Sequence, residues 1–340
     1  MVFDSLKTRM RSFSRRDLLR GGSMLAAWSL VVGGGHAAAR EVSLRQSGSG
    51  STQATIRRGY ALTPRGQIHY YEAGQGKPLL LLHRSPASGR EFLGLLQLLA
   101  PHFRVIAADL PGFGQSDPLP APLSMEKIAA SMGQLLDALG IDRAHVYGFL
   151  TGNKVAAAMA AQSPKRVDRL VICGLIHAII PDQAKRNEAI RAIVAKYLTE
   201  YPESPNGEHH LRRWMANWAD LSGMAWPGGL TSKAGVSAQD IEDIRLRLLQ
   251  HLQALPNMAD TYRANFAFDF GAAMERITAP TLVIELPVPE EEERYGRQLQ
   301  AVCAKIRGSR GVTIEQREGG VPVNRDAEIA KNIIAFLGAG

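Results

Sequence analysis

A turn flanked by two glycines is the segment of this sequence best suited to present a reactive side chain. Gly148 and Gly152 stand four residues apart, after an apolar strand-like segment and before an alanine-rich helical one. A sharp turn from strand to helix can expose its central residue as a nucleophile, and flanking glycines remove side chains that would collide there. The central residue here is Leu150, which has no lone pair with which to attack a carbonyl.

Thr151 carries the hydroxyl nearest to this position. Placing Thr151 at the centre of the turn would require glycines at the positions that hold Phe149 and Asn153. The sequence therefore favours Thr151 as a cap of the following helix, with nucleophilic attack as the alternative.

Three segments, taken in order, resemble the α/β-hydrolase superfamily, and the resemblance extends from about residue 54 to residue 338. They are Leu79–Pro86, Val105–Asp117 and His145–Gly152. The resemblance implies an α/β fold with a mostly parallel sheet, helices on both faces and a helical cap insertion. It also implies a nucleophile where Leu150 stands, a general-base histidine in the loop before the last helix, and an acid after the strand Thr281–Glu285.

The base and the acid implied by this resemblance are not in place. Val321 lies near the position of the histidine, and the last histidine of the chain is His251. Glu290 opens a run of four glutamates, so it is either a displaced acid or the solvated start of a helix. His177, at the carboxyl end of a predicted strand, is either a surviving general base or a structural histidine. Without a nucleophile and a base, ordinary Ser-His-Asp hydrolysis is predicted not to operate.

The loop after the strand Leu79–Leu82 also departs from the family pattern, His-Gly-x-Pro, because Arg84 replaces the glycine. Arg84 could clamp a carboxylate or phosphate group of a ligand, or it could pair with a loop acid such as Asp109. Backbone N–H groups of this loop and of Thr151 could form a two-donor pocket for a carbonyl or an anion. His83 and Asp109 are expected to brace their loops rather than to do chemistry. The substrate pocket is predicted to be lined by His83, Arg84, Leu150, Thr151, His177 and Val321.

Alternating strand-like and helical segments place these residues at one edge of a sheet. Continuous aliphatic runs such as Leu79–Leu82 are typical of strands covered on both faces. The predicted strands are Thr55–Leu62, Gln67–Glu72, Pro78–His83, Arg104–Ala108, His145–Gly148, Arg169–Gly174, Thr281–Glu285 and Val312–Arg317. The predicted helices are Glu91–Leu99, Met125–Leu139, Gly152–Gln162, Glu293–Lys305 and Asp326–Leu337. Residues 178–275 lack convincing strands and predict the helical cap.

The composition is that of a folded protein whose excess charge is concentrated in one tail. The 340 residues include 45% hydrophobic and 21% charged residues, which argues against a disordered chain. The formal net charge is +8, and half of it lies in residues 1–39. The remaining basic pairs are scattered without interleaved aromatic residues, so nucleic-acid binding is not expected. Neither a metal nor another cofactor is predicted, and Cys173 and Cys303 are expected to be free buried thiols, with a disulfide as the alternative.

The basic tail is typical of an export signal. Arg15 and Arg16 precede the apolar run Gly21–Gly35, and Ala37–Ala39 offers small residues to a signal peptidase. The arginine pair resembles a twin-arginine (Tat) signal, so we expect the Tat export machinery as a partner and a periplasmic or secreted protein. The apolar run is shorter than the roughly 20 residues of a membrane-spanning helix, so no stable span is expected after processing. An uncleaved anchor or a basic tail is the alternative, and residues 40–53 predict a flexible lead-in to a domain at 54–340.

Two functions fit these residues. The first is an exported enzyme of the α/β-hydrolase family that acts through a rearranged site on a small, largely apolar molecule, with or without an acidic group. The second is a non-catalytic relative whose apolar floor at Leu150 and Val321 holds a small ligand oriented by Arg84. The residues leave this choice open.

Overall fold

The computed structural model describes most of the predicted domain. The described residues are 54–174, 188, 204–212, 214–215, 238–287, 292, 296–315, 317–318, 321–322 and 325–338. The signal predicted for residues 1–39 and the lead-in at 40–53 lie outside them, as do His177, Glu290 and much of the predicted cap.

An eight-stranded sheet forms the centre of the domain. Its strands are β1 (Arg57–Thr63), β2 (Gly66–Ala73), β3 (Pro78–Leu82), β4 (Arg104–Ala108), β5 (Ala144–Phe149), β6 (Val167–Cys173), β7 (Thr281–Glu285) and β8 (Arg310–Thr313). They lie in the order β1-β2-β4-β3-β5-β6-β7-β8. The pairs β1–β2 and β2–β4 are antiparallel, and all other pairs of this sheet are parallel. A separate antiparallel pair joins β9 (Arg317–Glu318) and β10 (Val321–Pro322).

Helices cover both faces of this sheet. They are α1 (Leu93–Leu99), α2 (Met125–Ala138), α3 (Thr151–Gln162), α4 (Ala238–Ala267), α5 (Phe270–Glu275), α6 (Leu299–Lys305) and α7 (Arg325–Leu337), and a 3-10 turn at Gly89–Phe92 precedes α1. Successive side chains of a strand point to opposite faces. In β3, Leu80 and Leu82 accordingly join the core cluster under α2 and α3, whereas Leu79 and Leu81 join the cluster under α1 and α7. All four leucines are fully buried, as the continuous aliphatic run predicts.

The predicted α/β class, with a mostly parallel sheet and helices on both faces, is confirmed. The strand predicted at Val312–Arg317 has the wrong bounds, because the pairing of β8 with β7 ends at Glu285 and Thr313. The helix predicted at Glu293–Lys305 has the wrong start, because α6 begins at Leu299. At this start, Oε1 of Glu285 accepts hydrogen bonds from the N–H groups of Gln298 and Leu299. No helix in the described ranges is both long and apolar enough to cross a membrane.

Candidate functional site

β5 runs into α3 through a tight turn, the elbow (Gly148–Gly152), whose central residue is Leu150. Leu150 has φ 50° and ψ −104°, and among the described residues it is the one non-glycine residue with a positive φ. An L-residue is disfavoured there by roughly 1–2 kcal/mol, because its Cβ approaches a backbone carbonyl oxygen. The backbone therefore keeps the strained form that presents a nucleophile, although a leucine occupies the position.

The two glycines of the elbow allow this turn because they lack side chains. A Cβ on Gly148 would lie 2.5 Å from the carbonyl oxygen of Gly152, and a Cβ on Gly152 would lie 2.0 Å from that of Leu82. Non-bonded heavy atoms prefer about 3.5–4.0 Å, so neither position accepts a larger residue without movement of the backbone. The first turn of α3 thus packs directly on the end of β3, beside the loop that carries His83 and Arg84.

Asn153 ties the start of α3 to the end of β6. Its Nδ2 donates to the carbonyl oxygen of Cys173 at 2.7 Å, and its Oδ1 accepts from the N–H of Cys173 at 3.0 Å. The N–H of Leu150 donates to the same carbonyl oxygen at 3.2 Å. The sequence reasoning gives Asn153 no role, because a partner 20 residues away leaves no local pattern.

Arg84 pairs with Glu91, not with the Asp109 suggested from the sequence. Its Nε donates to Oε2 of Glu91 at 3.0 Å, and its backbone N–H donates to Oε1 at 3.0 Å. Glu91 therefore occupies one of the loop N–H groups that could have bound an anion. In the described part of the chain, the N–H groups of Ser85 and Thr151 are not donors in any of the backbone hydrogen bonds of turns, loops and caps.

His83 connects the loops that follow β3 and β4. Its Nε2 accepts from the N–H of Leu110 at 2.8 Å, so its Nδ1 carries the proton and donates to the carbonyl oxygen of Arg84 at 2.7 Å. Complete burial lowers the pKa of His83, because burial penalises the charged imidazolium. Both nitrogens are thus used, as the predicted bracing role requires, and contact of His83 with a substrate stays a prediction.

Asp109 holds the same two loops through three hydrogen bonds. Its Oδ1 accepts from the N–H of Gly89 at 2.7 Å. Its Oδ2 accepts from the N–H of Gln115 at 2.9 Å and from Nδ1 of His69 at 2.9 Å. Because Asp109 is buried and its carboxylate is bonded on both oxygens, it acts as the predicted loop brace.

The long helix α4 lies over these loops. Nε2 of Gln250 donates to Oγ of Ser88 at 2.7 Å, and Nδ2 of Asn257 donates to the carbonyl oxygen of Gly112 at 3.0 Å. His251 is also on α4 and is 4% exposed. The described part of the predicted cap therefore covers the edge of the sheet at which the elbow lies.

A second arginine, Arg325, contacts the same aromatic ring as Arg84. Cζ of Arg84 lies 5.8 Å from the ring centroid of Phe149, and Cζ of Arg325 lies 5.6 Å from it. Phe149 immediately precedes Leu150, so both guanidinium groups lie close to the elbow. Arg325 is not among the site residues predicted from the sequence. A basic residue in the first turn of a helix, where the helix dipole disfavours positive charge, is the signal that could have found it.

The two cysteines are free and lie on different sides of the sheet. Cys173 belongs to the core cluster under α1 and α7, whereas Cys303 packs against the cluster under α2 and α3. Burial raises the pKa of Cys173 to about 12, so its thiol stays protonated and is a poor nucleophile. The prediction of a buried thiol is right for Cys173 and wrong for Cys303, which is half-buried.

The structure brings four of the predicted pocket residues together at the carboxyl edge of the sheet: His83, Arg84, Leu150 and Thr151. Val321 lies in β10 and pairs with Glu318 of β9. His177 and Glu290 lie outside the described residues, so their proposed roles as base and acid stay predictions.

Comparisons with known proteins show which chains this one is similar to. The family described as alpha/beta hydrolase fold matches residues 77–213. A 2-hydroxy-6-oxononadienedioate/2-hydroxy-6-oxononatrienedioate hydrolase of Pseudomonas putida is 30% identical over 229 residues, which cover 64% of this chain and 73% of that enzyme. A soluble epoxide hydrolase of Corynebacterium sp. is 36% identical over 114 residues, which cover 34% of this chain and only 40% of that enzyme.

Solved structures share the fold at lower identity. The epoxide hydrolase CorEH superposes with a TM-score of 0.61 and 22% identity, covering 84% of this chain and 99% of that chain. The enol-lactonase of Burkholderia xenovorans LB400 superposes with a TM-score of 0.56 and 21% identity, covering 82% of this chain and all of that one.

Proposed function

This chain belongs to the α/β-hydrolase fold family, and from that membership we propose that it acts on or binds a small, largely apolar molecule without forming an acyl-enzyme. The observation that carries the proposal is Leu150 at φ 50° in the elbow. The backbone there has the form that exposes a nucleophile, but an aliphatic side chain cannot attack a carbonyl. We therefore propose that the pocket still binds a small molecule, but that no covalent intermediate forms at the elbow.

The groups around the elbow support a particular class of bound molecule. Leu150 packs against an apolar core cluster, and the Arg84 side chain is 40% exposed beside it. An apolar floor next to a guanidinium group suits a molecule with a hydrocarbon body and an acidic group. The relative from Pseudomonas putida is named for a dioate, which is a dicarboxylate, and this supports an acidic group in the molecule bound here.

In this proposal, turnover uses polarisation of a bound carbonyl rather than a covalent intermediate. The N–H groups of Ser85 and Thr151 would supply the two donors for its oxygen. A water molecule would then be the attacking group, with His177 as the candidate general base. Among the described histidines, the buried His83 directly follows β3 beside the elbow, but both of its ring nitrogens are already bonded.

A fluorophosphonate probe and an ester and amide panel test the absence of an acyl-enzyme. We expect the intact mass of the wild-type protein to show no phosphonyl adduct, because no activated hydroxyl lies at the elbow centre. Leu150→Ala should behave identically, and the double variant Leu150→Ser/Val321→His supplies a nucleophile and a base as a gain-of-function comparison. A stoichiometric wild-type adduct that disappears in Thr151→Ala would overturn the proposal.

Turnover and binding are separated by the same panel. Hydrolysis by the wild type that falls at least tenfold in His177→Ala would identify an enzyme with a non-covalent route, a tenfold loss being about 1.4 kcal/mol in the barrier. Binding of a panel molecule without any product would identify a ligand-binding protein.

We also propose that the protein is exported through the Tat machinery. The support is the arginine pair Arg15-Arg16 ahead of a short apolar run and an alanine-rich cleavage segment. Replacing both arginines by lysine is expected to abolish the processed periplasmic form, whereas the control Arg9→Lys/Arg11→Lys should leave it unchanged. Equal amounts of processed protein in both variants would remove the Tat assignment.

A further inference from the structure

The ring of Phe149 contacts two arginines, Arg84 and Arg325, that are far apart in the sequence. Arg84 follows β3 and Arg325 begins α7, and each guanidinium carbon lies within 6 Å of the ring centroid. Phe149 is 6% exposed, so the apolar ring is almost wholly covered. Both arginine side chains nevertheless reach solvent, being 40% and 58% exposed. Two cationic groups thus lie beside one aromatic ring, on the residue that precedes the elbow centre.

The position of residue 325 at the start of α7 does not favour a cation. The N-terminus of a helix carries partial positive charge, so an arginine there is unfavourable by about 0.3–1 kcal/mol. Asp326 and Glu328 already supply the favourable negative charge of the first turn of α7. Arg325 contacts Phe149 and lies near Asp326, and a residue that breaks a local rule beside a candidate site is itself a candidate for a functional role.

The acidic partners of these arginines leave their outer nitrogens available. Glu91 engages Arg84 through Nε and the backbone N–H, and no described residue bonds the two Nη groups of Arg84. Oδ1 of Asp326 lies 3.7 Å from Nε of Arg325, beyond hydrogen-bond distance. Within the described residues, Nη groups of both arginines can therefore donate to a bound anion.

We propose that Arg84 and Arg325 together bind the carboxylate of the molecule that this site takes. The inference rests on the proposed function, adds Arg325 as a second specificity-determining residue, and specifies the acidic group as a carboxylate. A carboxylate accepts from guanidinium nitrogens with the planar geometry that arginine offers, and the first turn of α7 adds a favourable dipole. The Phe149 ring holds the two guanidinium groups in place through its π face.

Binding of 4-phenylbutanoate, compared with the neutral 4-phenylbutanamide, tests this assignment by isothermal titration calorimetry on the full chain. The wild type is expected to bind the acid and to bind the amide more weakly. Arg84→Gln and Arg325→Gln should each weaken the acid at least about tenfold, the effect of one lost charged hydrogen bond. Arg263→Gln, at an exposed arginine of α4 paired with Asp260, is the matched control and should bind like the wild type.

Asp326→Asn tests the direction of the change in affinity for the acid, which a merely structural role of Arg325 would leave unchanged. This change removes negative charge next to Arg325, so the acid should bind more tightly while the amide is unaffected. Wild-type affinity for the acid in Arg325→Gln would overturn the role of that residue.

The outcomes also separate this inference from the proposed function. Equal binding of the acid and the amide would overturn the arginine pair and leave a small-molecule site in place. Failure of both probes to bind at millimolar concentration would overturn recognition of apolar carboxylates, whereas the phosphonyl-adduct experiment judges the absence of an acyl-enzyme independently.

Discussion

Leu150 shows how a functional backbone can persist without its functional side chain. Its positive φ is maintained by the N–H bond to Cys173, by the flanking glycines and by packing of the leucine side chain against the core. Strain of this kind costs of order 1–3 kcal/mol and persists only where the surroundings determine it. The elbow is therefore a property of the neighbouring elements rather than of the residue at its centre.

Glycine should be preferred over alanine at this position. Both Leu150→Gly and Leu150→Ala lose the packing of the leucine, but only glycine relieves the positive φ. We expect Leu150→Gly to have the larger free energy of unfolding, by about 1 kcal/mol, in urea denaturation monitored by circular dichroism. At the buried helical residue Leu96 the order should reverse, because glycine is about 1 kcal/mol worse than alanine inside a helix. A higher free energy of unfolding for alanine than for glycine at both positions would show that Leu150 is not strained.

Arg84 and Asp109 show how partners at the residue scale are chosen by geometry. Both are charged loop residues near the elbow, and the sequence offers no reason why they should not pair. The carboxylate of Asp109 is instead used by Gly89, Gln115 and His69, so Glu91 takes the arginine.

At the scale of elements, the site depends on how closely α3 approaches β3. The first turn of α3 lies against the carbonyl oxygen of Leu82, and Asn153 fixes the same turn to β6. The helix therefore bridges the two strands that flank the elbow strand β5, each of which pairs with β5 directly.

A methyl group at Gly152 should disrupt this packing. The added Cβ would lie 2.0 Å from a backbone oxygen, so Gly152→Ala is expected to lose at least about 2–3 kcal/mol of unfolding free energy or to fail to fold. Gly133→Ala is the matched control, because α2 has open space at that position and alanine should stabilise the helix by about 1 kcal/mol. The two unfolding midpoints in urea give the comparison, and a mild effect at Gly152 would contradict the close approach.

The cap shows a second dependence between elements. Gln250 and Asn257 of α4 reach the loops after β3 and β4, so movement of α4 would alter both loops that carry the brace residues. The positions of these two loops are therefore linked through one helix.

At the scale of the whole molecule, buried histidines make stability depend on pH. Burial lowers the pKa of His83 and of His145 below the ordinary value of 6.5, because each folded environment penalises the imidazolium. Above about pH 6.5 both residues are neutral in the folded and the unfolded chain. Below it the unfolded chain takes up protons that the folded chain does not, so the unfolding free energy falls as the pH falls.

The expected result is a declining stability on the acid side, with each histidine contributing at most about 1.4 kcal/mol per pH unit. Urea unfolding between pH 5 and 8 measures this decline. In His145→Gln the slope below pH 6.5 should become shallower, whereas the stability near pH 8 changes by a constant amount. An unchanged acid slope in this variant would contradict the assignment to His145.

At the scale of the whole chain, the net charge does not describe the groups that recognise a ligand. The formal excess of +8 is divided equally between residues 1–39 and the rest of the chain. The cationic groups that bear on ligand recognition are therefore individual arginines at the elbow rather than the net charge.

Much of the fold can be predicted from the sequence because local residue patterns indicate its strands and helices. Aliphatic runs and their alternation with helical segments predict strands buried on both faces, and all eight predicted strands overlap strands of the sheet. Strand ends are predicted less well, as in β8, because a strand ends where the pairing with its neighbour ends. The last residue of β7, Glu285, also accepts hydrogen bonds from the N–H groups at the start of α6, a contact that no local pattern predicts.

By itself the sequence determined that leucine stands at the elbow centre and that no histidine follows His251. These are statements about residue identity, which spacing and side-chain chemistry suffice to make. Only the tertiary structure decided that the elbow backbone remains strained, that Glu91 holds Arg84, and that Arg325 reaches Phe149. Local periodicity reports which face of an element is buried, whereas partners distant in sequence meet only after the sheet and its helices have packed.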